Sequence, residues 1–220
     1  MGKEGAHIEN GAKETSRLET FSDGVFAIVI TLLILELIPI LHEPTDKRLL
    51  NHLLDHWDAY LAFAMGFLTI LICWINHHLV FTYIHKIDSN LMWVNGFVLL
   101  VVTFTPFPTA ILSQYLGKEG HTALAIFGFN YIMMSLAAYF ISAYTYNRRL
   151  IREDSRRRYY GYVLMYKYSI LYNIIIFFVC FLSIPLAIFF YILLFIVFAF
   201  PREFAIRLLK LKQRPNKKAQ

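Results

Sequence analysis

Apolar residues along this chain come in long runs separated by a few short polar interruptions. A membrane's hydrocarbon core is crossed by about 20 apolar residues in helical form, so each run is a candidate span. The first extends from about Leu18 to Ile38, with Thr20 or Ser22 near its cap and Pro39 just past its end, where proline stops a helix. The second covers Trp57 to Tyr83, the third Leu91 to Gln114 and the fourth Thr122 to Tyr146. The stretch from Tyr166 to Phe200 is too long for one helix and slightly short for two full spans. Ser183, Ile184 and Pro185 supply the break, giving two short helices joined by a tight turn. The pattern therefore predicts an all-α, polytopic membrane protein with six transmembrane helices per subunit. It divides into a polar segment 1–16, a membrane domain 17–204 and a basic tail 205–220.

Composition agrees with that reading: 58% of the 220 residues are hydrophobic and only 16% are charged, with a mean hydropathy of +0.52. The polar opening and the length of the first run predict a retained first helix instead of a cleaved leader. Both cysteines, Cys73 and Cys180, fall inside apolar runs and read as core thiols.

Charge fixes the expected orientation. With these spans, 18 of the 21 lysines and arginines fall on one side, including Arg148, Arg149, Arg152, Arg156, Arg157, Arg158 and Lys167; Lys47, Arg48 and Lys118 fall on the other. Basic loops stay in the cytoplasm, so both termini are expected there and the chain is placed as a multi-pass protein of the cell membrane. The net charge of +6 is then explained by topology and by attraction to anionic lipid headgroups, and no nucleic-acid partner is expected. The tail PREFAIRLLKLKQRP alternates bulky apolar and basic residues, and either continues the last helix or lies along the membrane surface. Between Leu41 and His56, the polar residues His42, Glu43, Asp46, Asp55 and His56 match no metal-ligand spacing and read as a solvated loop.

Ionisable groups inside a span need a partner, a cavity or a nearby headgroup. Asp23 is either a first-turn carboxylate that complements the helix dipole together with Ser22, or a member of an interhelical polar cluster. Trp74, Asn76, His77 and His78 on the second helix lie at the end that antiparallel packing brings beside Asp23. A histidine there is placed to donate to Asp23 or Ser22. Beyond Gly24, Ile28, Thr31, Leu35 and Ile38 recur at spacings of three and four on one face, with Leu32 at its border.

Arg17, Phe21, Ser22 and Asp23 form the pattern R-x-x-x-F-S-D at the start of the first span, and Trp74 and His77 form W-x-x-H on the second. In these motifs and its span count the chain resembles, over its whole length, the transmembrane protein 175 family of potassium channels, in particular its prokaryotic members with a single six-helix repeat. The resemblance implies a homotetrameric, potassium-selective leak channel whose pore is lined by the first helix of each subunit. It places a constriction of bulky apolar side chains at Ile28, Leu32 and Leu35, with Thr31 as a polar position between the layers. It further implies that Arg17, Phe21, Ser22 and Asp23, with Trp74 and His77, hold the first helix against its neighbours without touching the ion. Potassium is the permeant ion, and no cofactor is implied. The sequence contains no TVGYG, so a filter of that carbonyl type is excluded.

Other readings remain. A secondary transporter needs discontinuous helices, and Pro106 and Pro108 offer one possible break. A proton-permeable cation channel is a further alternative. An enzyme is not expected, because the chain has no H-E-x-x-H or G-x-S-x-G motif. Isolated His121 and Asn130 read as interhelical hydrogen-bonding groups.

Overall fold

Helical winding starts well before the first apolar run. The computed structural model describes residues 3–43 and 45–213, and α1 spans Lys3–Leu32. The expected cap at Thr20 or Ser22 is therefore an interior position. Both hydroxyls bond back to carbonyls one turn earlier, Thr20 to Ser16 at 2.8 Å and Ser22 to Leu18 at 2.9 Å. The polar segment is helical because Lys, Glu and Ala form helices without apolar periodicity.

After Leu32 the winding tightens into a 3₁₀ segment, Leu33–His42, which contains Pro39. Proline cannot donate to the carbonyl four residues back and its ring crowds that position. The chain responds by changing winding before the proline, so Pro39 does not end the helical rod as expected. The short α2 (Leu49–Asp55) follows, then α3 (Trp57–Phe81), which begins where the sequence placed it.

The third and fourth expected spans form one long helical hairpin. α4 (Ser89–Phe104) meets α5 (Pro106–Asn147), and α5 is interrupted at Glu119 by a non-helical conformation (φ −132°, ψ 48°). Three contacts run in antiparallel order along the two arms. Tyr144 donates to Asp88 at 2.7 Å, Phe140 packs on Phe97, and Asn130 donates to Thr105 Oγ1 at 3.1 Å. The joint at Pro106 is closed, since the Val102 carbonyl that loses residue 106 as a donor accepts from the Thr105 N–H at 3.0 Å. At Pro106 the backbone that a transporter reading would draw on is therefore satisfied within the helix.

A second 3₁₀ turn, Glu153–Ser155, leads into α6 (Arg156–Val179). This helix starts ten residues earlier than Tyr166, so Arg156, Arg157 and Arg158 form its first turn and not a loop. It runs antiparallel to the second arm of α5, through Thr145–Tyr159 at 2.7 Å, Asn173–Ser135 at 2.6 Å and His121–Cys180 O at 2.6 Å. Ser183 caps α7 (Ile184–Ala199), and its hydroxyl accepts from the Leu186 N–H at 3.5 Å. α8 (Pro201–Gln213) then turns through 90° and packs on α6, so the tail does not extend the last helix. At Gly161 a side chain would meet the Ala205 carbonyl oxygen at 2.8 Å, which is why α8 approaches α6 so closely there.

One isolated antiparallel bridge, Ile84 to Ile151, is the single extended pairing among the described residues. Four helical segments are long and apolar enough to cross a membrane, or five if the bent α7–α8 pair is one span. The longest of them, Ser89–Asn147, is the hairpin that folds back at Glu119.

Candidate functional site: a polar seam behind an exposed helix face

Residues of α1 divide into two stripes. Ser22, Phe26, Val29 and Leu33 are buried, at intervals of four, three and four. Gly24, Ile28, Thr31 and Leu35 follow the same intervals two positions later, which at 100° per residue places them across the helix. All four are exposed, and no atom lies within 4 Å of the Cβ position of Gly24. Ile28 is 62% exposed and Leu35 51%, with Leu32 and Ile38 also open. In the 3₁₀ segment three residues make a turn, so Leu35, Ile38 and Leu41 stand in one straight file. α1 with this segment is the least enclosed of the candidate spans.

Behind the buried stripe lies a hydrogen-bonded seam. The Asn95 amide nitrogen donates to Ser22 Oγ at 2.9 Å, and the Ser22 hydroxyl donates to the Leu18 carbonyl. That leaves Asn95 Oδ1 as the acceptor for His77 Nε2 at 2.8 Å, so Nε2 carries the proton, while His77 Nδ1 is buried without a hydrogen-bond partner among the described residues. Phe26 and Phe81 flank the His77 ring at centroid distances of 5.3 and 4.4 Å. Ser22, His77 and Asn95 are all buried, and α1, α3 and α4 each supply one.

A second link sits closer to the surface. Trp74 Nε1 donates to Asp23 Oδ1 at 2.8 Å, and His78 Nδ1 lies 2.8 Å from Glu19 Oε1. Trp74 and His78 stack along α3. Asp23 therefore belongs to the interhelical cluster, since it stands far inside α1 and not in a first turn.

The sequence pointed to a histidine of the second helix as a direct donor to Asp23 or Ser22, and the resemblance to Trp74 and His77 as partners of the R-x-x-x-F-S-D residues. In the structure Trp74 bonds Asp23 directly, and His77 reaches Ser22 only through Asn95. Neither Asn95 nor Glu19 was singled out from the sequence. The signal for Asn95 was its place as a polar amide inside an apolar span. Arg17 and Phe21 do not join the seam: Arg17 is exposed with no ion pair or hydrogen bond among the described residues, and Phe21 is 64% exposed. Between the 3₁₀ segment and α3, His56 Nε2 lies 3.0 Å from Glu43, and Lys47 pairs with Asp55 at 2.6 Å. No group of three potential metal ligands occurs among the described residues.

Helices this apolar, with polar side chains paired between them and an open apolar face on the first, define a polytopic membrane protein of the helix-bundle class. Residues 17–106 match the family described as "Endosomal/lysosomal potassium channel TMEM175". A solved structure titled as a lysosomal potassium-selective channel TMEM175 homolog from Chamaesiphon minutus superposes with a TM-score of 0.76. It is 31% identical, and the match covers 86% of this chain and 98% of that one. The chain belongs to the TMEM175 family, which is a family of ion channels and not of enzymes. A curated relative named as a potassium channel in Chamaesiphon minutus is 48% identical over 104 residues, 47% of this chain and 51% of that protein. The chain thus spans about half the length of that relative. The chicken protein named "Endosomal/lysosomal proton channel TMEM175" is 34% identical over 117 residues, 50% of this chain and 23% of that protein.

Proposed function

We propose that this chain forms a potassium-selective leak channel of the cell membrane, a homotetramer of six-span subunits with both termini in the cytoplasm. Four copies of α1 bring their exposed faces to a common axis, and Ile28, Leu32 and Leu35 form the constriction. The observation that carries this reading is the pair of opposed stripes on α1. One face is packed into the subunit and held by the polar seam, while the other is apolar, continuous and unpartnered. Potassium as permeant ion is supported by the naming of the bacterial relatives.

The chemistry follows from the side chains. An apolar neck strips part of an ion's hydration shell, and potassium releases water more readily than sodium. Thr31 Oγ1 donates its proton to the Ile28 carbonyl at 2.7 Å, so its lone pairs face outward as acceptors for a partly dehydrated cation. Ser22, Asp23, Trp74, Asn95 and His77 set the angle of α1 and do not meet the ion. Arg17 and Phe21 face outward beside them and are assigned to contacts with the neighbouring subunit. Anionic headgroups attract the basic cytoplasmic ends.

The test is flux into liposomes loaded with potassium, read with a proton carrier and a pH dye, and repeated with sodium inside. Faster uptake with potassium is expected. Ile28→Asn should raise the flux and narrow the potassium-to-sodium difference; equal flux in both salts for the parent would overturn the selective-channel reading. A second reading, a proton-permeable cation channel, draws on the naming of the chicken relative. It is distinguished by proton uptake that persists when the carrier is omitted.

A further inference from the structure

Lys167 presents an electrostatic problem that the channel reading does not solve. It lies on α6, eleven residues beyond Arg156, or about 16 Å along the helix at 1.5 Å per residue. It is exposed and makes no ion pair among the described residues. A cation inside a membrane-spanning helix is costly unless water or an anion meets it.

The side chain opens onto a groove of about 250 Å³ between the last turns of α5 and the first half of α6. Tyr139, Tyr146 and Asn147 line it from α5, and Tyr160, Lys167 and Tyr168 from α6. No carboxylate lines it. Phenols and an amide beside a cation offer hydrogen-bond donors to an anion, and tyrosines favour the depth of lipid headgroups. Arg156 adds positive charge beside the groove, with its guanidinium 4.3 Å from the centre of the ring of Tyr146, which lines it. Its Nη1 is buried without a hydrogen-bond acceptor among the described residues. Val163 and Leu164 form the apolar floor.

We propose that this groove is a headgroup site for an anionic phospholipid, with the phosphate held by Lys167, Asn147 and the hydroxyls of Tyr139, Tyr146 and Tyr168 and the acyl region lying against Val163 and Leu164. Basic pockets between membrane helices on the cytoplasmic side select acidic headgroups on the same grounds. The apolar floor favours a lipid over a free phosphate, which has nothing to place there. The inference rests on the chain being a membrane protein and not on what it conducts.

The full chain, purified in detergent, is titrated with phosphatidylglycerol or phosphatidylcholine and bound lipid is counted by native mass spectrometry. Phosphatidylglycerol should bind in preference. Lys167→Gln should weaken it about fivefold, the loss expected for one basic contact near the surface, and Asn147→Ala should weaken it less. Both positions are exposed, so thermal unfolding should be unchanged. Lys86→Gln, which removes a charge outside the groove, should bind as the parent does. Equal binding of the two lipids, or equal losses in the Lys86 and Lys167 variants, overturns the site. Inorganic phosphate that binds as tightly as the lipid overturns the lipid assignment in favour of a soluble-anion site. Ion flux is not read, so the result stands apart from the channel test.

Discussion

Trp74 Nε1 donates to Asp23 Oδ1 at 2.8 Å, joining the C-terminal third of α3 to the point on α1 where the polar opening gives way to the apolar stripe. The bond is partly exposed, so it acts more as a positioning device than as a large source of stability. Trp74→Phe keeps the ring and removes the donor. We expect a loss of about 1 kcal/mol, the usual net worth of one such bond, seen as a small fall in the unfolding temperature in detergent. If Asp23 holds α1 only through this donor, adding Asp23→Asn to Trp74→Phe should cause little further loss. A fully additive double variant would separate the two residues.

The buried chain from His77 through Asn95 to Ser22 carries more weight per residue, because none of its groups reaches water. Asn95→Leu preserves volume but leaves the His77 Nε2–H without an acceptor and removes the bond that Ser22 Oγ accepts, so that Ser22 keeps only its bond to Leu18. Unsatisfied buried polar groups cost about 1–3 kcal/mol each, and interhelical bonds in membranes average nearer 0.6. The expected total is about 2 kcal/mol, larger than for Trp74→Phe. Reversible unfolding in mixed micelles measures both; a smaller loss for Asn95→Leu would show that the seam tolerates rearrangement.

The difference between these two links also explains what could be read beforehand. Trp57 at the start of α3 and Ser183–Pro185 before α7 were legible because a change from polar to apolar, or a serine followed by proline, marks a boundary locally. The starts of α1 at Lys3 and α6 at Arg156 were not. Both lie in charged sequence whose residues form helices well but show no apolar period. Trp74 and Asp23 were visible as polar residues at facing ends of antiparallel helices. Asn95 was not, since its role depends on α4 packing into the angle between α1 and α3, a relation that spacing within one helix does not contain. The open face of α1 was legible as a stripe from Ile28 to Ile38, whereas its extension to Leu41 followed from the unexpected change of winding before Pro39.

His56 closes the loop that follows the 3₁₀ segment and supplies a pH-dependent contact. Its Nδ1 lies 2.7 Å from the His52 carbonyl and its Nε2 3.0 Å from Glu43. The His52 carbonyl has the largest influence and raises its pKa above the ordinary 6.5; desolvation comes second and opposes it, and Glu43 and then Asp58 add to the rise. A raised folded-state pKa means that the contact stabilises fully below about pH 6.5, the unfolded value. The stabilisation is lost as pH rises through the higher folded value. Glu43→Gln should lower the His56 pKa but leave it elevated, because the His52 carbonyl remains. A histidine NMR titration measures this directly. No change on substitution would mean that the carboxylate is screened by solvent, as Glu43 is largely exposed.

Thr31 tests the conduction path without disturbing the fold. Its hydroxyl bonds only to the Ile28 carbonyl in its own helix, and its side chain is exposed in the subunit. Thr31→Val keeps the β-branched shape and removes the oxygen, so unfolding should change by less than about 0.5 kcal/mol. If the four hydroxyls form an acceptor ring below the Ile28 layer, their loss should slow potassium flux several-fold and bring the potassium and sodium rates closer together. Liposome flux with each salt gives both numbers from one preparation. Unchanged rates and ratios, with the protein folded, would place Thr31 outside the pore. They would turn the open face of α1 toward lipid or a neighbouring subunit and leave the polar seam to hold the helix for a different purpose.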